Sequence, residues 1–307
     1  MITLEKIPFT SVAGQPLTLY LWQTDAPCRG VIQLVHGMAE HIARYDRLAR
    51  ALCAAGYTVA GHSHLGHGED AREDELGFFG RKDGWDHLVE DVHAAHEMLL
   101  KRFPGQRFAI LGHSMGSFVT REYLLRYGGD LTAAVICGTG WQPAPVLAAG
   151  LALCGLEKLR LGETGRSKLL ANLMFGAYNR KFPDARTPND WICSDPEVVA
   201  KYTADPLCGQ DATVGLTREM LRGIRMIQKP ANLQRMDKAL PVFFIAGRSD
   251  PVGNMGRGVE KAAAAFRAAG MQDVACKLYD GRHEILNEKN RQLVYDDVLA
   301  FYERHLD

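Results

Sequence analysis

The chain lacks any long apolar run. No stretch of about 18 consecutive apolar residues occurs in it, so no helix is expected to cross a bilayer. Its N-terminal residues, Met1 to Thr10, lack the basic start and apolar core of a secretory signal, and a cytoplasmic protein is expected. It also lacks an excess of either charge, since 36 Lys plus Arg balance 36 Asp plus Glu. Nucleic acids and acidic membrane surfaces select basic excess or basic patches, so neither is an expected partner. Cysteine is sparse and unpatterned: seven residues, at 28, 53, 137, 154, 193, 208 and 276, form no C-x-x-C. That odd, scattered set argues against a disulfide framework and for a reduced, intracellular protein. Cys137 and Cys276 sit in strand-like runs and read as small buried hydrophobes. No repeat and no low-complexity segment is visible.

What is present is enough apolar material, 47% of 307 residues, to fill a large core. Residues 2–23 alternate like two antiparallel strands around a turn at Ala13-Gly14-Gln15-Pro16. From Val31 onward, strands and helices take turns. Strands are expected at 31–35, 57–60, 108–111, 133–137, 242–246 and 274–279, with helices at 45–55, 85–103, 118–127, 260–269 and 291–305. Such alternation implies α/β architecture, a mostly parallel sheet with helices on both faces. Residues 141–237 break the rhythm with helical spacing punctuated by proline, in segments 147–161, 169–175, 197–202 and 217–228. An insertion at the carboxyl edge of a parallel sheet lies over the usual ligand site. The expectation is a core of 1–140 and 238–307 with an inserted helical cap of 141–237. The cap carries Met174, Met220, Met226 and Met236, side chains suited to line a site for a flexible acyl chain, or to fill a core.

The chemistry is concentrated at Gly112-His113-Ser114-Met115-Gly116, a G-x-S-x-G between a strand and a helix. A sharp strand-to-helix turn there crowds the backbone, which calls for glycine, and lifts the Ser114 hydroxyl clear of the sheet. A serine nucleophile needs a base to take its proton, an acid to hold that base, and donors for the oxyanion. Asp250, just past the strand 242–246, and His283, in the loop after 274–279, follow in the required order. Asp280 is the rival acid, but only three residues separate it from His283, which gives a poor approach to the imidazole. Backbone amides of Met115 and of Met38, in His36-Gly37-Met38-Ala39-Glu40, are the expected oxyanion donors. His62, His64 and His67 form a histidine-rich loop without an Asp, Glu or Cys at ligand spacing, so it reads as a buttress and no metal is expected. The run Glu69 to Glu75 reads as a solvated loop.

These stretches, His36 to His41, His62 to Gly68, Gly112 to Gly116, Asp250 and His283, resemble the α/β-hydrolases of the monoacylglycerol lipase and lysophospholipase group, the serine aminopeptidase-like hydrolases. The resemblance covers nearly the whole core and departs at Ser63, where Asp is usual, and at Ser117, where a second Gly is common. It implies a serine hydrolase of carboxylic esters, of acyl-glycerol or lysophospholipid type, working through an acyl-enzyme and without a cofactor. The partner is a small-molecule ester or lipid. A peptidase or amidase, an acyltransferase, or a ligand receptor on a retired core are the other readings. Among the insertion's acids, Glu157, Glu163, Asp184 and Asp190 could hold a substrate amino group in a peptidase. Acyl length, the alcohol part and oligomeric state stay open at this level.

Overall fold

The computed structural model describes residues 1–306. Among the described residues, eight strands form one sheet in the order β1-β2-β4-β3-β5-β6-β7-β8. They are β1 Ile2–Thr10, β2 Pro16–Thr24, β3 Val31–Val35, β4 Thr58–His62, β5 Phe108–His113, β6 Ala133–Cys137, β7 Val242–Gly247 and β8 Val274–Tyr279. The first two pair antiparallel, with Ile2 opposite Thr24 and Thr10 opposite Pro16, and β2 pairs antiparallel with β4. All later pairings are parallel. Ten helices accompany them: α1 Asp46–Ala54, α2 Gly84–Arg102, α3 Met115–Tyr127, α4 Ala144–Leu161, α5 Lys168–Phe175, α6 Pro196–Ala204, α7 Val214–Ile227, α8 Pro230–Leu233, α9 Arg257–Ala268 and α10 Arg291–Leu306. This is an α/β-hydrolase fold. Among the described residues, no helix is long and apolar enough to cross a membrane.

Side-chain alternation divides the core into two layers, one on each face of the sheet. In β5, Phe108 and Ile110 join the layer packed against α2, α3 and α9, whereas Ala109 and Leu111 join the layer against α1 and α10. Strands β3 to β7 are buried along their whole length, which explains their continuous apolar runs.

Parallel registry brings the carboxyl ends to one rim. Val35 pairs with Gly112, His113 with Cys137, and Gly247 with Tyr279. The chain leaves β3 towards β4 and returns to β5 on the other side of β3. The loops after β3 and β5 therefore diverge, and the crevice between them is where open α/β sheets bind ligands.

Helices α4 to α8 lie between β6 and β7. Of these, α7 joins the main core through Leu216, Met220, Ile224 and Ile227. Gly223 makes that approach possible, since a Cβ there would stand 2.1 Å from Trp85 Cε2. Leu147 of α4, Leu233 of α8 and Met236 join the same core, and two small clusters hold other parts of the insertion, one around Ile192, Val199 and Tyr202 and one around Cys154, Leu170 and Val214.

Three details differ from the expectations. Cys137 is buried but Cys276 is only half-buried, because β8 is an edge strand with alternating exposure. The acidic run is not solvated throughout: Glu69 accepts from Tyr20 Oη at 2.5 Å and Lys6 Nζ at 2.6 Å, and Asp70 accepts from Thr18 N at 2.8 Å. These contacts pin the loop to the antiparallel strands. Met236 lies in the main core and Met226 packs against it, so neither lines the ligand cavity described below.

Candidate active site

Ser114 sits at the turn from β5 to α3 with φ 54° and ψ −122°, in the region L-residues avoid. Two glycines permit the turn. A Cβ on Gly116 would stand 2.1 Å from the Val35 carbonyl oxygen, and one on Gly112 would stand 2.2 Å from Thr120 Oγ1. The G-x-S-x-G spacing thus reflects backbone crowding against β3 and the first turns of α3. Ser117 hydroxyl donates to the Ser114 carbonyl at 2.5 Å, a contact that the commoner glycine cannot make.

The three residues expected as a triad come together. His283 Nε2 lies 2.8 Å from Ser114 Oγ. His283 Nδ1 lies 3.0 Å from Asp250 Oδ1, close enough for charge pairing though not aligned as a hydrogen bond. Asp250 is fully buried, and its Oδ1 also accepts from Val252 N at 2.9 Å. Asp280, the rival, points outward with its side chain 92% exposed, 3.7 Å from Arg248.

Met38 and Met115 both border the same cavity as Ser114. Among the described residues, neither backbone N–H is taken up by a backbone carbonyl in a loop or turn. The Met38 loop is held from below. Gly37 N donates to Glu40 Oε1 at 2.7 Å, and a Cβ on Gly37 would stand 3.0 Å from Ser114 Cβ. His36 Nδ1 donates to the Gly37 carbonyl at 2.7 Å, while its Nε2 accepts from His64 N at 2.9 Å, which fixes a neutral tautomer. Burial holds His36, His62, His64 and His67 below the ordinary imidazole range, so this cluster is an uncharged buttress. Ser63, in the place of the usual Asp, accepts from Ile42 N at 3.3 Å, and Gly68 packs on it.

The sequence reading missed an ionic network under the site. Glu40 is buried and accepts from Gly37 N, from Tyr45 Oη at 2.9 Å, from His113 Nδ1 at 3.2 Å and from Arg44 Nη1 at 2.5 Å. Arg44 also grips Glu284. His113 Nε2 faces the His283 carbonyl at 3.4 Å, so both ring nitrogens of His113 meet acceptors. Burial opposes charge on His113, but its hydrogen bond to Glu40 and the Glu40 and Glu284 charges outweigh that and raise its pKa. Burial likewise opposes ionisation of Glu40, yet the Arg44 charge and His113 pull its pKa well below the carboxylate range. The available signal was Glu40 and Arg44 four apart, next to the glycine loop.

The insertion adds a second missed group. Trp191 lies over the His283 ring, with centroids 5.2 Å apart. Glu284 N donates to the Ile192 carbonyl at 2.6 Å, and Arg282 Nη1 donates to the Asp190 carbonyl at 2.7 Å. Buried Glu288 accepts from both Arg282 N at 2.9 Å and Ser194 N at 2.8 Å.

Above Ser114 opens a cavity of about 1000 Å³. Leu147, Met174, Phe175, Met220, Leu221 and Ile224 give it an apolar wall. Glu157, Glu163, Asp184 and Asp190 do not line it. Each is engaged elsewhere, Glu157 with Arg160, Glu163 with Lys158 and Arg218, Asp184 with Arg282 and Asp190 with Thr187.

A family described as serine aminopeptidase, S33, matches residues 26–290. The monoacylglycerol lipase of Mycolicibacterium smegmatis is 30% identical, over 97% of this chain and 96% of that protein. The human monoglyceride lipase is 24% identical, over 90% of this chain and 82% of that protein. Among solved structures, a carboxyl esterase from Bacillus coagulans in complex with glycerol superposes with a TM-score of 0.92 at 27% identity, covering 99% of each chain.

Proposed function

The chain belongs to the serine aminopeptidase S33 family, and from that premise we propose that it hydrolyses monoacylglycerol-type carboxylic esters with Ser114, His283 and Asp250 as its triad. The carrying observation is the 2.8 Å approach of His283 Nε2 to Ser114 Oγ on the floor of an apolar cavity.

In this reading His283 takes the Ser114 proton as Oγ attacks the ester carbonyl carbon. The carbonyl oxygen becomes an oxyanion, stabilised by the Met38 and Met115 amides, and buried Asp250 stabilises the imidazolium. Collapse breaks the bond to the alcohol, which leaves with the proton from His283. Water, deprotonated by the same imidazole, then attacks the acyl-enzyme, and the fatty acid departs as Ser114 regains its proton. No cofactor enters any step.

We take residues 1–140 with 238–307 as the core and 141–237 as a cap that shapes the acyl site. The substrate class rests on the apolar wall and on the M. smegmatis and human lipases as relatives. Seven free thiols suit a reducing cytoplasmic setting.

The test is Ser114→Ala with a fluorophosphonate probe and a series of monoacyl esters. Labelling and turnover should both disappear, and the parent enzyme should prefer chains of about eight carbons or more. Persistent labelling of Ser114→Ala would remove the nucleophile assignment. A preference for acetate over longer chains, or for aminoacyl arylamides, would remove the substrate class.

A further inference from the structure

We propose that His41, Asp205 and Cys208 form a binding site for one borderline divalent cation of the zinc class, joining the loop after β3 to the segment after α6. Their ligand atoms, an imidazole nitrogen, a carboxylate oxygen and a thiol sulfur, all lie within 4.8 Å of one another. That mixed N, O and S set suits zinc rather than calcium or magnesium, which favour all-oxygen shells.

The local backbone already aims these groups together. Asp205-Pro206-Leu207-Cys208 places two ligands across a two-residue spacer, as zinc-binding turns do. Cys208 N donates to the Asp205 carbonyl at 3.0 Å, which closes the turn. Leu207 N donates to Asp205 Oδ1 at 2.9 Å and orients the carboxylate, leaving Oδ2 turned to His41 Nε2 at 2.9 Å. A carboxylate oriented through its other oxygen is a usual support for a metal ligand. All three residues are half-buried, so solvent reaches the cluster and water can supply a fourth ligand.

The nearby positive group, Arg44, is shared between the buried carboxylates Glu40 and Glu284, so it is not left facing the site uncompensated. Binding is balanced as follows: Cys208 loses its thiol proton to solvent, and His41 binds through an Nε2 that carries no proton, with its ring proton on Nδ1. The cation meets one thiolate, one carboxylate and one imidazole, a neutral complex.

The site adjoins the oxyanion loop. Ala39 holds a left-handed φ of 54°, and its carbonyl accepts from Gly209 N at 2.9 Å and from Tyr202 Oη at 2.9 Å. A cation on Asp205 and Cys208 would tie the residues just before Gly209 to the residue two after Ala39. It would act as a staple across a junction that the fold otherwise holds by hydrogen bonds. The ligands lie 164 residues apart at the His41–Asp205 contact, which hides the set from any motif search.

The experiment uses the full-length protein, stripped with chelator, then dialysed against micromolar zinc or cobalt. The wild type should retain about one zinc per chain. Its cobalt form should show a thiolate-to-cobalt absorption in the near ultraviolet that Cys208→Ser and His41→Gln lose and Cys28→Ser keeps. As a measurement independent of any variant, zinc should slow alkylation of Cys208 at least tenfold while leaving Cys28 unchanged. Wild-type protein that retains no zinc, a cobalt–thiolate band that survives in Cys208→Ser, or Cys208 alkylation indifferent to zinc would each overturn the site.

Discussion

Arg44 grips Glu284 at two points, Nη1 to Oε1 at 2.7 Å and Nη2 to Oε2 at 2.8 Å, and Glu284 is the residue next to His283. Through Glu40, the same guanidinium reaches the loop of Gly37 and Met38. One cation therefore sets the spacing between the proposed base and the proposed oxyanion donors, although it touches neither the serine nor the cavity's apolar wall.

Removing that cation leaves two buried carboxylates without compensation. Arg44→Met should lose about 3–5 kcal/mol of stability, because breaking a buried pair strands its partner. Adding Glu284→Gln should recover part of the loss. A double-mutant cycle by urea unfolding measures this, and additive losses would show that the two residues are not coupled.

The elbow's strain can be read separately from its chemistry. Ser114→Ala keeps a Cβ at φ 54° and Ser114→Gly does not. Both should lose esterase activity by a factor on the order of 10,000 or more. The glycine variant should nevertheless be the more stable by about 1–3 kcal/mol. Equal melting of the two variants would mean the conformation stores no strain.

Helix α7 is positioned by one missing side chain. In Gly223→Ala the new methyl would meet Trp85, whose indole nitrogen is fixed by donation to Glu122 at 2.6 Å. The helix must shift, at about 1–3 kcal/mol. Because Met220 and Ile224 border the cavity, KM for long-chain esters should rise while that for an acetate ester stays constant. Chain-length kinetics beside denaturant unfolding test both parts.

The buried histidines dictate a direction for acid stability. Burial lowers the His62 pKa from 6.5 to about 4, so between those values the unfolded chain binds the proton and the folded chain does not. Stability contributed by this group is complete above pH 6.5 and falls as pH drops through that window, by about 3 kcal/mol. His36, His64 and His67 shift in the same direction, and His113, shifted upward, opposes them. His62 Nδ1 and Nε2 have no partners, so His62→Leu strands nothing. Its unfolding free energy should fall less than the wild type's between pH 6.5 and 4, as urea titrations at the two ends will show.

The sequence was most legible where local spacing carries the signal. Strands such as 31–35, 133–137 and 274–279 keep their bounds because each is a continuous or alternating apolar run between turn residues. Helices began earlier than their apolar spacing, at Ala144, Pro196 and Val214, because first turns are capped by polar residues and prolines outside that spacing. The approach of Ser114, Asp250 and His283 to one another was legible because each follows the carboxyl end of a strand on one rim. The Arg44–Glu284 grip spans 240 residues and Trp191 meets His283 across the insertion, and neither has a local pattern. Met226 and Met236 were read with Met174 and Met220 because composition does not say which side of a helix meets a cavity.

The contacts between residues 190–195 and 281–288 bear on how a turnover cycle can open and close. Trp191, Ile192 and Ser194 are fastened to the segment that carries His283, the proposed base, so lifting this part of the insertion would pull His283 away from Ser114. Entry and exit that preserve the relay must use another edge. Helix α5 supplies one, since Leu169 and Leu173 are exposed and only Leu170 is buried. Residues 190–195 carry those contacts while α5 buries only Leu170, so amide exchange should be slower in 190–195 than in 168–175. A product that leaves past α5 would leave the approach of His283 to Ser114 undisturbed for the next substrate.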